Sequence, residues 1–421
     1  MRSVLLSLIV GAIAYVLYTA APQIQRAVKV LGVFRRYPEG ALVKEAVTVI
    51  PDTTHCEDLH HHLPSGSLFT ACEDDPQVRF KWFPPLVNFD SPELARKSRG
   101  SIHVIDPKTF TSKRLTFENF DGPFITHGID VIDDPERAKG EAVYVFAVNH
   151  LPNPKFGKGN EPHARSQLEV FYHVIGTSSI RHLRSVWHPL IRTPNDIYAK
   201  TPTSIYVTND HYHRDNLARI VEDVWHGAKW TDLVHIQLES LSAADSSSGV
   251  TASIALDKIH NNNGLGHGRS EQEILISQAA SGVLHIAELP KTTGGGNITI
   301  LHSFEFDSVI DNPSYFSDPF AKTPADDRSG FVLPGVSQGI KLAETCHNPA
   351  GEDPVIVGFA KFDGRSWESR VIFEDDSSRI RSASAAVLIA IDPKEEKGAR
   401  RAWLFATGFS SKSIIAVKVD L

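Results

Sequence analysis

Residues 194–211 read PNDIYAKTPTSIYVTNDH, and the fold turns on how this stretch is understood. The run SIYVTNDH from Ser204 is β-branched, mostly apolar and short, as a buried strand is. Upstream of it lies a second strand candidate that opens on Asn195-Asp196, a polar start that an ordinary buried strand avoids.

The same pairing recurs along the chain. Runs resembling SIYVTNDH are SLFTA from Ser67, VYVFAVNH from Val143, VLHIAEL from Val283, GFVL from Gly330 and WLFATGF from Trp403, which makes six in all. Each is followed, after a polar loop, by another strand-like run: SIHVID from Ser101, LEVFYHVI from Leu168, LVHIQLE from Leu233, ITILHSF from Ile298, VIVGFAKF from Val355 and IIAVKVDL from Ile414. The units lie roughly 45 to 80 residues apart, suited to four strands with generous loops and too irregular for a solenoid. Helical periodicity is scarce beyond the N-terminus. The expected fold is therefore all-β, a six-bladed β-propeller preceded by an N-terminal hydrophobic helix. AVTVI, Ala46 to Ile50, is placed to pair with the last blade and close the ring.

The expected organisation is a signal anchor or signal peptide over 1–24, a linker over 25–44 and the propeller over 45–421. Val4 to Ala21 is uncharged and apolar; as a helix it spans about 27 Å at ~1.5 Å per residue, nearly a bilayer core. It predicts membrane attachment through this segment. Arg26, Lys29, Arg35 and Arg36 follow the run and pull the other way, towards a cytosolic body.

The chain has 43 basic and 50 acidic residues, a net charge of −7, and no cationic block that would track phosphates, so nucleic acid is not expected as a partner. Cys56, Cys72 and Cys346 form no CxxC pair, which disfavours structural zinc; one disulfide among them is allowed, with its pairing open. Most of the twenty histidines are expected on solvated loops. Asn297-Ile298-Thr299 is a glycosylation sequon.

The polar starts recur in every unit: Glu57-Asp58, His127-Gly128-Ile129, Asn195-Asp196, Asn263-Gly264, Asp311-Asn312 and Ser382 with Ser384. In a propeller, the innermost strands line the axis, so these residues converge there. A single Asn-Asp or Asp-Asn pair is usually a turn or a cap; recurrence at one position of a repeat is not. Buried carboxylates and amides need a counter-ion, and an all-oxygen set suits Ca²⁺ better than Mg²⁺ or Zn²⁺. His127 opens the inner strand of unit two and His150 ends the next, so antiparallel pairing brings them to one face.

In its CEDL, HGID, VNH, PNDI, TNDHY, NNG, HIAEL and IDN elements, in that order from Glu57 to Asn312, the chain resembles the paraoxonase/arylesterase family of six-bladed propeller hydrolases. The resemblance implies two calcium ions. The catalytic one would be bound by Glu57, Asn195, Asn263, Asp311 and Asn312, the structural one by Asp58, Asp196 and the carbonyl of Ile129. It also implies a His127–His150 dyad and a small ester or lactone as substrate. Two departures stand out. The C-terminal strand AVKVDL carries no cysteine for the family's terminal disulfide, and CHNP at Cys346 is a displaced match to the family's Cys-His-Pro stretch.

The rival readings are a non-catalytic binding propeller and a gluconolactonase or strictosidine-synthase type enzyme; the histidine pair favours the first family. A calcium site with partly neutral ligands needs the high free calcium of the secretory pathway, so the body is expected lumenal, extracellular or secreted.

Overall fold

Six strands run along one central axis: Cys56–His62, Thr126–Asp133, Pro194–Thr201, Asn262–His267, Ser314–Phe316 and Ala383–Ala390. Each begins a sheet of antiparallel strands that step outward, blade 2 adding Thr116–Glu118 in parallel at its outer edge, and together they form a six-bladed β-propeller. This is a computed structural model that describes residues 21–36, 45–291 and 295–421.

Blade faces are packed by apolar side chains that alternate along the strands, and one buried cluster fills each gap between neighbouring blades. Phe146, Val170, Ile197 and Val207 join blades 2 and 3; Val357, Phe373, Leu404 and Val417 join blades 5 and 6. The ring closes without a covalent staple. Thr48–Ile50 adds to the outside of blade 6, with Thr48 opposite Ala416 and Ile50 opposite Ile414, as read for Ala46–Ile50 from sequence. Closure leaves the last blade no unpaired edge at this position.

Five of the six inner strands share an irregularity at the polar residues. Pairing with the second strand breaks between Cys56 and Leu59, between Pro194 and Ile197, between Asn262 and Leu265, and between Ala383 and Ala386. In blade 2 the break falls across His127-Gly128. Such a bulge re-aims side chains and leaves ladder groups without partners. Hydroxyls on the second strands take them up. Thr70 Oγ1 donates to Asp58 O (2.6 Å), Asp196 N donates to Thr208 Oγ1 (3.0 Å), Gly264 N to Ser277 Oγ (2.8 Å) and Ala385 N to Thr407 Oγ1 (3.1 Å).

Two glycines let neighbouring strands meet at the axis. A Cβ on Gly128 would fall 2.4 Å from Asp196 Oδ1 and 2.6 Å from Asn195 O; one on Gly264 would fall 2.4 Å from Asn312 Oδ1 and 2.6 Å from Asp311 O. The contact is the same one, repeated between different blades.

Three expectations need correction or addition. In blade 4 the second strand is Glu273–Gln278, so VLHIAEL (Val283–Glu288) is the third strand and Thr299–Glu305 the fourth; the unit was read one strand too late. The histidines are not mostly solvated. Ten of the twenty are buried, several against hydroxyls: His103 between Ser101 and Ser112, His235 on Ser204, His260 on Ser281 and His285 on Ser303. The cysteine pairing left open is Cys56–Cys72, directly across blade 1, and Cys346 is a buried free thiol.

Residues 21–30, which straddle the expected anchor and linker, are helical and dock on blades 4 and 5. Arg26 donates to Ser281 O, Gly282 O and Phe306 O, Lys29 pairs with Asp307 (2.6 Å), and Arg35 donates to Ser308 Oγ and Ser337 O. Three of the cations that suggested a cytosolic body thus have structural partners. The apolar run itself lies, except Ala21, outside the described residues. Among the described residues no helix is long and apolar enough to cross a membrane.

Candidate active site

At the end of the channel where the inner strands begin, the buried oxygens without a hydrogen-bond partner include Glu57 Oε2, Asn195 Oδ1, Asn263 Oδ1, Asp311 Oδ1 and Asn312 Oδ1. They belong to the five residues whose side chains were expected to share one ion. Neighbouring contacts draw them together. Asn312 Nδ2 donates to Glu57 Oε1 (3.0 Å), Asn312 N donates to Ser384 O, and Thr407 Oγ1 donates to Glu57 O (2.8 Å).

The electrostatics of this cluster are those of crowded, buried carboxylates that repel one another. Burial, then repulsion from Asp311 and Asp58, raises the Glu57 carboxyl well above the usual range. Asp311 is raised by burial and by Asp58 and Asp210. Oxygen donors, two of them carboxylates, unsatisfied by protein and set at bulged strand starts and the Asp311-Asn312 loop, fit a hard cation of high coordination number.

Asp58, Ile129 and Asp196 also come together, one step deeper. Ile129 N donates to Asp58 Oδ2 (3.0 Å), and Leu265 N donates to Asp196 Oδ2 (2.6 Å). Burial and Asp58 raise the Asp196 carboxyl. Their oxygens are partly engaged by backbone amides, which orient them and leave further lone pairs.

The histidines meet as the strand pairing requires. His127 Nδ1 and His150 Nε2 are 3.1 Å apart, and His150 Nδ1 is 2.8 Å from Ser166 Oγ. His127 Nε2 faces Glu57 Oε1 at 4.0 Å. Burial, then Arg79, pushes His127 down to about 3; burial and His127 push His150 well below the usual imidazole value. Both rings are therefore neutral at pH 7, with lone pairs able to accept a proton.

Residues between the second and third strands of blade 1 cover this mouth. Phe83 lies edge-on to both imidazoles, at 5.0 and 5.9 Å between centroids, and stacks on Phe409. Trp82 Nε1 donates to His150 O (2.8 Å). Arg79, fully buried, donates to His55 O and Thr126 O and lies 4.0 Å over the Phe83 ring. Asn88 Nδ2 donates to Cys346 O (2.8 Å), which brings the CHNP segment against this cover. A cleft beside His150 is lined by Pro84, Pro85, Phe89, Arg192, Asp210 and Arg214.

Arg79, Phe83, Ser166 and Asp210 escaped sequence reasoning. Asp210 lies in TNDHY, a motif noted without a role; Ser166 and Arg79 sit in segments with no repeat signal.

A family model described as Arylesterase matches residues 95–319. The chain is 26% identical over 223 residues to serum paraoxonase/arylesterase 2 of Gallus gallus, covering 52% of this chain and 54% of that protein. It is 25% identical over 272 residues to serum paraoxonase/lactonase 3 of Oryctolagus cuniculus, covering 62% and 63%. The matched stretch thus spans somewhat more than half the length of these relatives. Among solved structures, a gluconolactonase of Xanthomonas campestris aligns over 89% of either chain at 12% identity with a TM-score of 0.41, too loosely to bear on function.

Proposed function

The chain belongs to the arylesterase family, and from that premise we propose that it is a calcium-dependent hydrolase of carboxylic esters, aryl esters among them, and lactones. The observation that carries this reading is the set of five partnerless buried oxygens beside a coupled, neutral histidine pair.

Glu57, Asn195, Asn263, Asp311 and Asn312 would hold the catalytic calcium, and Asp58, Asp196 and the Ile129 carbonyl a second, structural one. When bound, the first ion supplies Lewis acidity towards the substrate carbonyl and stabilises the charge that develops on its oxygen.

The rest of the chemistry belongs to the chain. His127 Nε2 takes a proton from the attacking water as the water oxygen bonds to the carbonyl carbon. For this, Nδ1–H of His127 donates to His150 Nε2, and Nδ1–H of His150 donates to Ser166 Oγ, which fixes both tautomers. The imidazolium that forms is balanced by Glu57 at 4.0 Å. His127 then returns the proton to the leaving alkoxide or phenoxide. Phe83 keeps bulk water from the pair, and the Pro84–Phe89 wall offers an apolar surface to an aryl or acyl group.

The proposed location is the secretory pathway, secreted or anchored through the N-terminal segment. The Cys56–Cys72 disulfide supports an oxidising compartment, and Asn297 of the sequon is exposed.

The test is turnover of phenyl acetate and simple lactones by purified protein. Wild type is expected to hydrolyse at least one, and His127→Gln to lower that rate by ~100-fold or more with an unchanged melting temperature. An unchanged rate in the variant removes His127 as the base.

A further inference from the structure

Three to four residues further along the inner strands, about 10–13 Å from the histidine pair's end at ~3.3 Å per residue, a second polar cluster occupies the channel. His60 of blade 1, Asp130 of blade 2 and His267 of blade 4 bring one ligand atom each to within 4.8 Å of one another. His267 Nε2 lies 2.9 and 3.0 Å from the two Asp130 oxygens, and His60 Nδ1 lies 3.3 Å from Asp130 Oδ1.

The surroundings fix each member. His60 Nε2 lies 3.1 Å from Asp58 Oδ2; a proton on Nε2 donated to that carboxylate turns the Nδ1 lone pair towards Asp130. Val131 N (2.7 Å) and Ala199 N (2.6 Å) donate to the Asp130 carboxylate and hold its plane. Tyr198 lies against the His267 ring at 4.4 Å. Asp130 is fully buried, while the His267 side chain is 42% exposed, so the cluster is reached from solvent on the His267 side.

Two imidazole nitrogens facing one carboxylate are joined either by ring protons donated to its oxygens or by a metal cation held between them. Donors bound at about 2.0–2.1 Å in a tetrahedron stand about 3.3 Å apart, close to the separations here. The donor chemistry is that of borderline divalent metals of the zinc type, unlike the all-oxygen set at the other mouth. A carboxylate on the far nitrogen of a ligating histidine, as Asp58 is on His60, is the usual outer support of such a site.

We propose that His60 Nδ1, Asp130 and His267 Nε2 form a transition-metal site in the channel, three-coordinate from protein and open to solvent at a fourth position. It ties blades 1, 2 and 4 together across the channel, and blade 3 through Ala199. Through His60 it also orients Asp58.

Cobalt(II) is the probe. Full-length protein in calcium-saturated buffer is titrated with Co²⁺ and followed by visible d–d absorption, then challenged with Zn²⁺. The expected result is one equivalent bound and displaced by Zn²⁺, with affinity lowered at least about 10-fold in His267→Gln and retained in His127→Gln. Thermal melts of both variants report folding. Absence of the band in folded wild type overturns the site and leaves a shared proton in the metal's place; a band that survives His267→Gln overturns the ligand assignment.

Discussion

A histidine buried in a sheet keeps its neutral form when its partner is a hydroxyl, and this chain repeats that arrangement. Burial holds His103, His260 and His285 down at about 4, with Arg114, His226 and Lys229 respectively as the next contributors. In the unfolded chain such groups take up protons near pH 6.5. Between the two values the unfolded state binds more protons, so folding stability falls as pH falls. His211 has the opposite sign: burial and Arg219 oppose its charge, yet Asp210 and Asp223 hold it up at about 9, so its contribution fades as pH rises through that value. Thermal melts are expected to peak near neutral pH and to drop by several degrees towards pH 5, less steeply in His285→Gln. A flat acid limb would contradict the buried-neutral assignment. Little of this was readable in the sequence, because most of these hydroxyls lie far along the chain from the rings they satisfy: Ser204 and His235 are 31 residues apart, whereas His103, with Ser101 two residues away, is the exception.

At the scale of the strand, five of the six inner strands start on a bulge, and these bulges present the axial polar residues. The ladder breaks where Glu57, Asn195 and Asn263 stand, and second-strand hydroxyls or close-packed glycines make the break tolerable. Gly264→Ala would drive a Cβ into the Asp311 carbonyl and the Asn312 amide. The expected cost is about 1–3 kcal/mol, with weaker calcium binding by calorimetry; a variant with wild-type melting temperature and calcium affinity would refute the close approach. The polar starts were legible because they recur against an apolar background, and their recurrence outweighed the bland reading of each pair. Blade 4 was misplaced by one strand because EILISQ and VLHIAEL are equally short and apolar, and periodicity does not rank them. His60 and His267 fell outside the polar starts, in positions where the repeat carries no common signal.

On the scale of the whole molecule, the propeller gathers residues 255 positions apart, such as Glu57 and Asn312, into one axial cluster, and closes its ring by strand pairing alone. Closure and blade number followed from counting paired strand runs. The capping by Arg79 and Phe83 did not, since it depends on how an inserted segment folds back over the mouth. Under the proposed calcium reading, that axial cluster makes the fold itself dependent on a counter-ion, because buried carboxylates without one repel. The most direct test strips purified protein with a chelator, verifies metal content by mass spectrometry, and follows phenyl acetate turnover and melting temperature while Ca²⁺ is returned. The account predicts that both fall on stripping and that Ca²⁺ restores both, whereas Zn²⁺ does not restore turnover. Undiminished turnover by calcium-free protein would contradict it.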